Sequence, residues 1–196
     1  MVNRKRMAVF LDRDGTINEQ MGYLNHLSRF VMLPRAAEGI RLLNKQSIPV
    51  FVVTNQSGLA RGYFPPSLLD EIHAGMNKML AAEGAKVDGI YICPHHPEAK
   101  EDKYRLVCNC RKPKTGLFLQ AAAEHDIDLT ESFVVGDRWS DLKAASAFEA
   151  TGILVLTGYG RGDRDYIGPT QSVQPAHVAK DLYEAADWII SKVNQK

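Results

Sequence analysis

An α/β fold, with a parallel sheet and helices on both faces, is predicted by two observations on this sequence. Short β-forming runs alternate with helix-period segments along the whole chain. Most of those runs stop at turns rich in carboxylates, hydroxyls or cations. The first strand is predicted over 7–11. A helix follows over 35–46, with Ala36, Ile40 and Leu43 at helical spacing. Strand 48–53 comes next, then a helix over 66–83 whose first turn suits Pro66. Strand 89–93, helix 114–124, strand 132–135, helix 141–148 and strand 153–156 continue the alternation. A short strand near 176–179 and a helix over 181–193 complete it. No internal repeat or linker divides residues 1–196, so a single domain is expected.

Three segments interrupt the pattern. Segments 19–34 and 94–113 follow strands and are expected to wall a cleft. Segment 158–175, rich in Gly, Pro and charge, is expected to be surface decoration. Within it, Gly158-Tyr-Gly-Arg-Gly lacks the spacing and following helix of a dinucleotide fingerprint. His73 and His125 fall on predicted helices and read as surface or packing residues.

The composition is that of a globular domain, 45% apolar and 24% charged. A formal net charge of +1 provides no field to draw the protein onto nucleic acid or an anionic membrane. No apolar stretch is long enough to span a bilayer. The basic start, residues 1–6, reads as a solvated end. Val9-Phe10-Leu11 runs directly into Asp12 with no secretory apolar region, so a cytoplasmic location and reduced thiols are expected. A monomer is the expected state.

Chemistry concentrates where strands end, which is where open α/β sheets bind ligands. Asp12 and Asp14 are two residues apart and project to the same side of an extended backbone. One can bind a cation and attack phosphorus while the other handles protons. A carboxylate attacks a phosphate monoester only when charge is screened, and a hard cation such as Mg²⁺ supplies that screening. Gly15 permits a tight turn that Thr16 can fix. Thr54 and Asn55, with the amides of the Gln56-Ser57-Gly58 turn, are neutral donors for phosphate oxygens. Lys112 can neutralise a phosphoryl group and the attacking carboxylate, and Arg111 can hold another substrate oxygen through its planar fork. Asp137 ends a strand and suits Mg²⁺; Asp141 suits capping or orienting the following helix.

Cys93, Cys108 and Cys110 share one window with His95 and His96. Three thiolates and one imidazole make a closed tetrahedral set for structural Zn²⁺. Spacing leaves His95 and His96 both open, with His95 favoured. The odd cysteine count argues against a disulfide.

Together these patterns resemble the haloacid dehalogenase superfamily of aspartate-nucleophile phosphatases. Four longer stretches are similar to its heptose bisphosphate phosphatase branch, with zinc-containing histidinol-phosphate phosphatases as near relatives. They are Asp12-Arg-Asp-Gly-Thr-Ile-Asn, Thr54-Asn-Gln-Ser-Gly-Leu-Ala-Arg-Gly, Cys93-Pro-His-His-Pro and Cys108-Asn-Cys-Arg-Lys-Pro. The resemblance implies a Rossmann-like core without a large cap domain. It implies Asp12 as nucleophile, and Asp14 as the group that protonates the leaving oxygen and then activates water. It implies Mg²⁺ on Asp12, Asp14 (through its carbonyl) and Asp137, with Thr54 and Lys112 gripping the phosphoryl group. It places Gln20, Met21, Gly22, Tyr23, Asn55, Gln56, Ser57, Arg111 and Arg138 against substrate, although a Lys is common at the last position. The implied reaction removes the C7 phosphate of D-glycero-D-manno-heptose 1,7-bisphosphate, on the route to activated heptose for lipopolysaccharide or surface-layer glycans. Rival readings are another small phosphomonoester such as histidinol phosphate, a phosphoacceptor switch, and a zinc-nucleated nucleic-acid module. Asp14, placed to turn over a phospho-enzyme, argues against the switch, and the near-neutral charge argues against the module.

Overall fold

A computed structural model describes residues 5–195. Its strands are β1 (Val9–Leu11), β2 (Val50–Asn55), β3 (Gly89–Cys93), β4 (Phe133–Gly136), β5 (Thr151–Val155) and β6 (His177–Ala179). The principal helices are α1 (Ala36–Lys45), α3 (Pro66–Ala82), α4 (Gly116–His125), α5 (Trp139–Ala147) and α7 (Leu182–Val193). Short helical turns α2 (Ser57–Ala60) and α6 (Gly160–Gly162) lie between them. The predicted strands and helices are found to within two residues at each end. Helix α2 was not expected, and helical turns run through 160–170 where an irregular loop was. Of the basic start, 1–4 lie outside the described residues, while Lys5 and Arg6 are exposed.

All neighbouring strands are parallel, in the order β3-β2-β1-β4-β5-β6. Period-2 alternation sends side chains to two cores. Val9, Leu11, Val50, Val52, Val135 and Ile153 pack with Ile40, Met76 and Ile189 from α1, α3 and α7. Phe10, Phe51, Val53 and Val134 face Phe118 and Ala121 of α4 and Ala144 of α5. The Phe10 ring stacks on Phe51 at 5.6 Å and meets Phe118 edge-on at 5.3 Å. Burying a side chain of this size contributes about 1.5–3 kcal/mol. Helix α7 is capped by Asp181, whose carboxylate accepts from the Glu184 amide at 2.9 Å.

This order positions the site. The chain leaves β1 toward β2 on one side and returns to place β4 on the other. The switch point therefore lies between β1 and β4, where ligands bind at the carboxyl ends of the strands. Leu11 pairs with Val135, so Asp12 and Asp137 emerge close together, and the Asp12 amide donates to the Val135 carbonyl at 2.9 Å.

Candidate active site

A cavity of about 420 Å³ opens over this switch point. Asp12, Asp14, Gln20, Tyr23, Thr54 and Ser57 line it, and three cations, Arg111, Lys112 and Arg138, contribute to its wall. Lys112 is buried, and its ammonium meets Asp12 Oδ1 at 2.8 Å, Asp141 Oδ1 at 2.6 Å and the Val53 carbonyl at 2.6 Å. Those partners account for all its N–H directions. Burial disfavours the ammonium, but Asp12 and Asp141 outweigh it and hold its pKa above the ordinary lysine value. The Asn55 amide fixes the Lys112 main chain, its Oδ1 accepting from the Lys112 N–H at 3.0 Å and its Nδ2 donating to the Lys112 carbonyl at 3.2 Å. Asp141 also accepts from the Arg138 amide at 3.3 Å, so it caps α5 and aims Lys112 at once.

Asp12, Asp137 and Asp141 can bring one carboxylate oxygen each to within 4.8 Å of one another. Three ionised carboxylates against one ammonium would leave two negative charges uncovered in a buried place. Burial pushes Asp12 up to about 6 and Asp137 up to about 8, with the neighbouring carboxylates adding to both shifts. Asp137 Oδ2 accepts the Tyr159 amide at 2.8 Å, while Oδ1 is buried without a hydrogen-bond partner. Gly15 (φ 87°) and Gly158 (φ 52°) close on this carboxylate, and a Cβ at either position would overlap it. An orphaned buried oxygen among excess negative charge fits a hard divalent cation.

The Asp14 carboxylate stands outside that group. Arg13 Nη2 donates to its Oδ1 at 2.8 Å and its Oδ2 at 2.7 Å, Asn18 donates to Oδ1 at 3.0 Å, and Gln56 Nε2 donates to Oδ2 at 2.8 Å. Burial works to raise its pKa, but Arg13 and these donors hold the carboxyl below the ordinary value. Arg13 is itself 1% exposed and its Nη1 lies 3.2 Å from His73 Nε2. A guanidinium has no acceptor, so His73 must accept there as a neutral ring. His73, expected to be a surface or packing residue, is thus the support behind Arg13.

That support carries a prediction. Burial and then the Arg13 charge lower His73 from 6.5 to about 4. Between those values the unfolded chain binds a proton that the folded chain does not, so acid favours unfolding. The contribution is complete above pH 6.5 and is lost as pH falls toward 4, at most about 3 kcal/mol. Denaturant unfolding at pH 7 and 4.5 should record that loss in the native protein. His73→Gln, whose amide oxygen can still accept from Arg13, should flatten it.

The structure brings most of the expected substrate residues to the cavity. Met21 is the exception: its side chain packs against the core shared by α1 and α3. Gln56 lines the cavity but commits its amide to Asp14 and Thr54. Segment 158–175 is not decoration, because Tyr159 lines the cavity and its main chain binds Asp137. Ser140 also reaches the cavity without having been expected there. The signal for Tyr159 was its position a few residues past the carboxyl end of β5, comparable to Asp12 after β1 and Asp137 after β4.

Cys93, His95, Cys108 and Cys110 form a second cluster, all within 4.8 Å. The Cys93–Cys108 and Cys93–Cys110 sulfurs lie 3.5 and 3.1 Å apart, and His95 Nδ1 lies 3.1 Å from Cys110 Sγ. The edges of a tetrahedral zinc–thiolate site are about 3.8 Å, from Zn–S bonds of about 2.3 Å. The set fits Zn²⁺ with His95 as the nitrogen ligand. His96 instead points to Arg61, with Nε2 3.2 Å from Nη2.

A parallel sheet whose switch point carries Asp12, a buried lysine and a cation-hungry carboxylate defines a haloacid dehalogenase-like hydrolase. A HAD-hydrolase-like family model matches residues 109–185. D-glycero-beta-D-manno-heptose-1,7-bisphosphate 7-phosphatase of Escherichia coli (strain K12) is 37% identical over 187 residues, covering 95% of this chain and 89% of the relative. The enzyme of that name from Photorhabdus laumondii is 44% identical over 152 residues, covering 77% and 81%. Among solved structures, D,D-heptose 1,7-bisphosphate phosphatase from B. bronchiseptica, complexed with magnesium and phosphate, superposes with a TM-score of 0.83. It is 34% identical, with 95% of this chain and 99% of that one covered. The chain belongs to the heptose-1,7-bisphosphate 7-phosphatase family of HAD-like hydrolases.

Proposed function

We propose that this protein is a Mg²⁺-dependent phosphomonoester hydrolase that removes the 7-phosphate of D-glycero-D-manno-heptose 1,7-bisphosphate and leaves the 1-phosphate. The observation that carries this reading is the Asp12–Lys112–Asp141 chain beside Asp137 at the switch point, facing a cavity large enough for a sugar. Asp12 Oδ1 is tied to Lys112, which leaves Oδ2 to attack phosphorus and form an aspartyl-phosphate. Lys112 and the Thr54 hydroxyl hold the transferring phosphoryl oxygens. A cation on the Asp12 and Asp137 carboxylates and the Asp14 carbonyl supplies charge screening during both displacements. As the P–O bond to the sugar breaks, Asp14 gives the leaving oxygen a proton. Asp14 then takes a proton from the water that cleaves the aspartyl-phosphate, which regenerates both carboxyl groups. In the free protein Asp14 is held ionised against Arg13, so it must take up its proton and turn from that contact before the first step. Arg111, Arg138, Gln20, Gly22, Tyr23 and Ser57 contact the rest of the sugar.

Zn²⁺ on the cysteine cluster is structural in this reading: four protein ligands leave it no open position. Among the described residues no helix is long and apolar enough to cross a membrane. The chain acts as one domain and as a cytoplasmic monomer in our reading. The test is phosphate release from both anomers of heptose 1,7-bisphosphate, fructose 1,6-bisphosphate and histidinol phosphate. A heptose bisphosphate should lead in kcat/KM by about tenfold or more, roughly 1.4 kcal/mol. An equal or faster reaction with histidinol phosphate overturns the assignment.

A further inference from the structure

We propose that Tyr159 and Asp163 are positioning residues that aim the Arg138 guanidinium at the non-reacting phosphate of a bisphosphate substrate; this rests on the sugar-bisphosphate reading above. Of the three cations lining the cavity, Lys112 is fully engaged by the reacting end. Arg138 differs from it in exposure and in availability. Its side chain is half exposed, and its Nη atoms take no hydrogen-bond partner among the described residues. A free surface arginine would sample many rotamers, and ordering it opposes binding. Two contacts restrict it here. The guanidinium carbon lies 4.6 Å from the centroid of the Tyr159 ring, and Nε lies 3.4 Å from Asp163 Oδ2. The ring covers one face of the guanidinium and Asp163 holds its Nε, which leaves the Nη edge for a planar, two-point grip on phosphate.

The segment that supplies these contacts is itself anchored. Thr157 Oγ1 donates to the Gly15 carbonyl at 2.6 Å, and the Tyr159 amide donates to Asp137 at 2.8 Å. Asp163 Oδ2 accepts the Trp139 amide at 2.8 Å, and the buried Trp139 ring donates Nε1–H to the Val173 carbonyl at 2.9 Å. Asp163 is 7% exposed, and a buried carboxylate is tolerated only with partners. Its partners are the Trp139 amide and Arg138. The Asp163 carboxylate thus serves two partners at once, the Trp139 amide at the start of α5 and the Arg138 guanidinium.

The experiment measures the ratio of kcat/KM for heptose 1,7-bisphosphate to that for heptose 7-phosphate. Arg138→Leu should lower the ratio about tenfold. Tyr159→Leu and Asp163→Asn should each lower it by about threefold or more, while Tyr159→Phe, which keeps the ring under the guanidinium, should restore it. In the Arg138→Leu background, Tyr159→Leu should have no further effect on the ratio, since it acts only through the missing guanidinium. The proposal is overturned if Arg138→Leu leaves the ratio intact. It is equally overturned if Tyr159→Leu lowers the ratio by the same factor with and without Arg138. A native ratio near one would instead defeat the bisphosphate reading beneath it. Should Asp163→Asn fail to fold, the Tyr159 and Arg138 variants carry the test alone.

Discussion

Asp12→Asn should reduce turnover by roughly 10⁴-fold or more while the protein remains folded. The amide has the shape of the carboxylate but no anionic oxygen to attack phosphorus. Folding should tolerate it because the site carries excess negative charge, with Asp12 already pushed up to about 6. Lys112 keeps Asp141 and the Val53 carbonyl as partners, so its ammonium is not stranded. Thermal unfolding followed by circular dichroism would show a native-like transition, and rapid-quench assays would capture no acyl-phosphate. A variant that retained turnover would remove Asp12 from the nucleophile's role.

Stripping the metal from Cys93, His95, Cys108 and Cys110 should have the second largest effect. Metal analysis of the purified protein should find about one zinc per chain, and structural zinc contributes about 10–16 kcal/mol of binding energy in small domains. Between β3 and α4 the described chain contains only the three-residue helical turn Asp102–Tyr104, so its order rests on the ligand set together with scattered contacts such as the Lys100 amide to the Ala60 carbonyl and Arg61 to His96. Cys110 runs straight into Arg111 and Lys112. Chelation should therefore expose 94–111 to protease and lower activity by about 100-fold, a loss of roughly 2.7 kcal/mol. Far-ultraviolet circular dichroism should change little, because the sheet is built elsewhere. Returning Zn²⁺ should restore both properties. Removing Mg²⁺ alone should stop turnover without exposing the loop, which separates the two metals. Zinc-free protein with an intact loop and full activity would dismiss the structural role.

The fold was legible because local signals agreed. Each strand is a short apolar run, and the helices between them carry a 3.6-residue period, so βα alternation alone implied the parallel sheet. Helix α5 begins earlier than expected because Asp141, read as a residue at the helix start, lies within the first turn and reaches back to the Arg138 amide. In the site, Asp12, Thr54, Lys112 and Asp137 were visible because each follows a strand or opens a helix within a short motif. Contacts made at long range left no such trace. Nothing near His73 in the sequence announces a buried guanidinium sixty residues away. Tyr159 sits in a Gly-rich stretch that looks like any surface loop until Asp137 and Gly15 are seen to hold it. Met21 lies in the segment expected at the substrate, yet its partly buried side chain packs against the core and is not among those lining the cavity.

Position 159 touches Asp137 through its main chain and Arg138 through its ring. Any amino acid other than proline can make the first contact, while the second depends on which one is present. With the role proposed for Arg138, mutation there would retune substrate preference without disturbing the reactive centre. Chemistry and selectivity are thus separately heritable at a single codon, and a lineage could exchange one sugar phosphate for another while its hydrolytic machinery stayed intact.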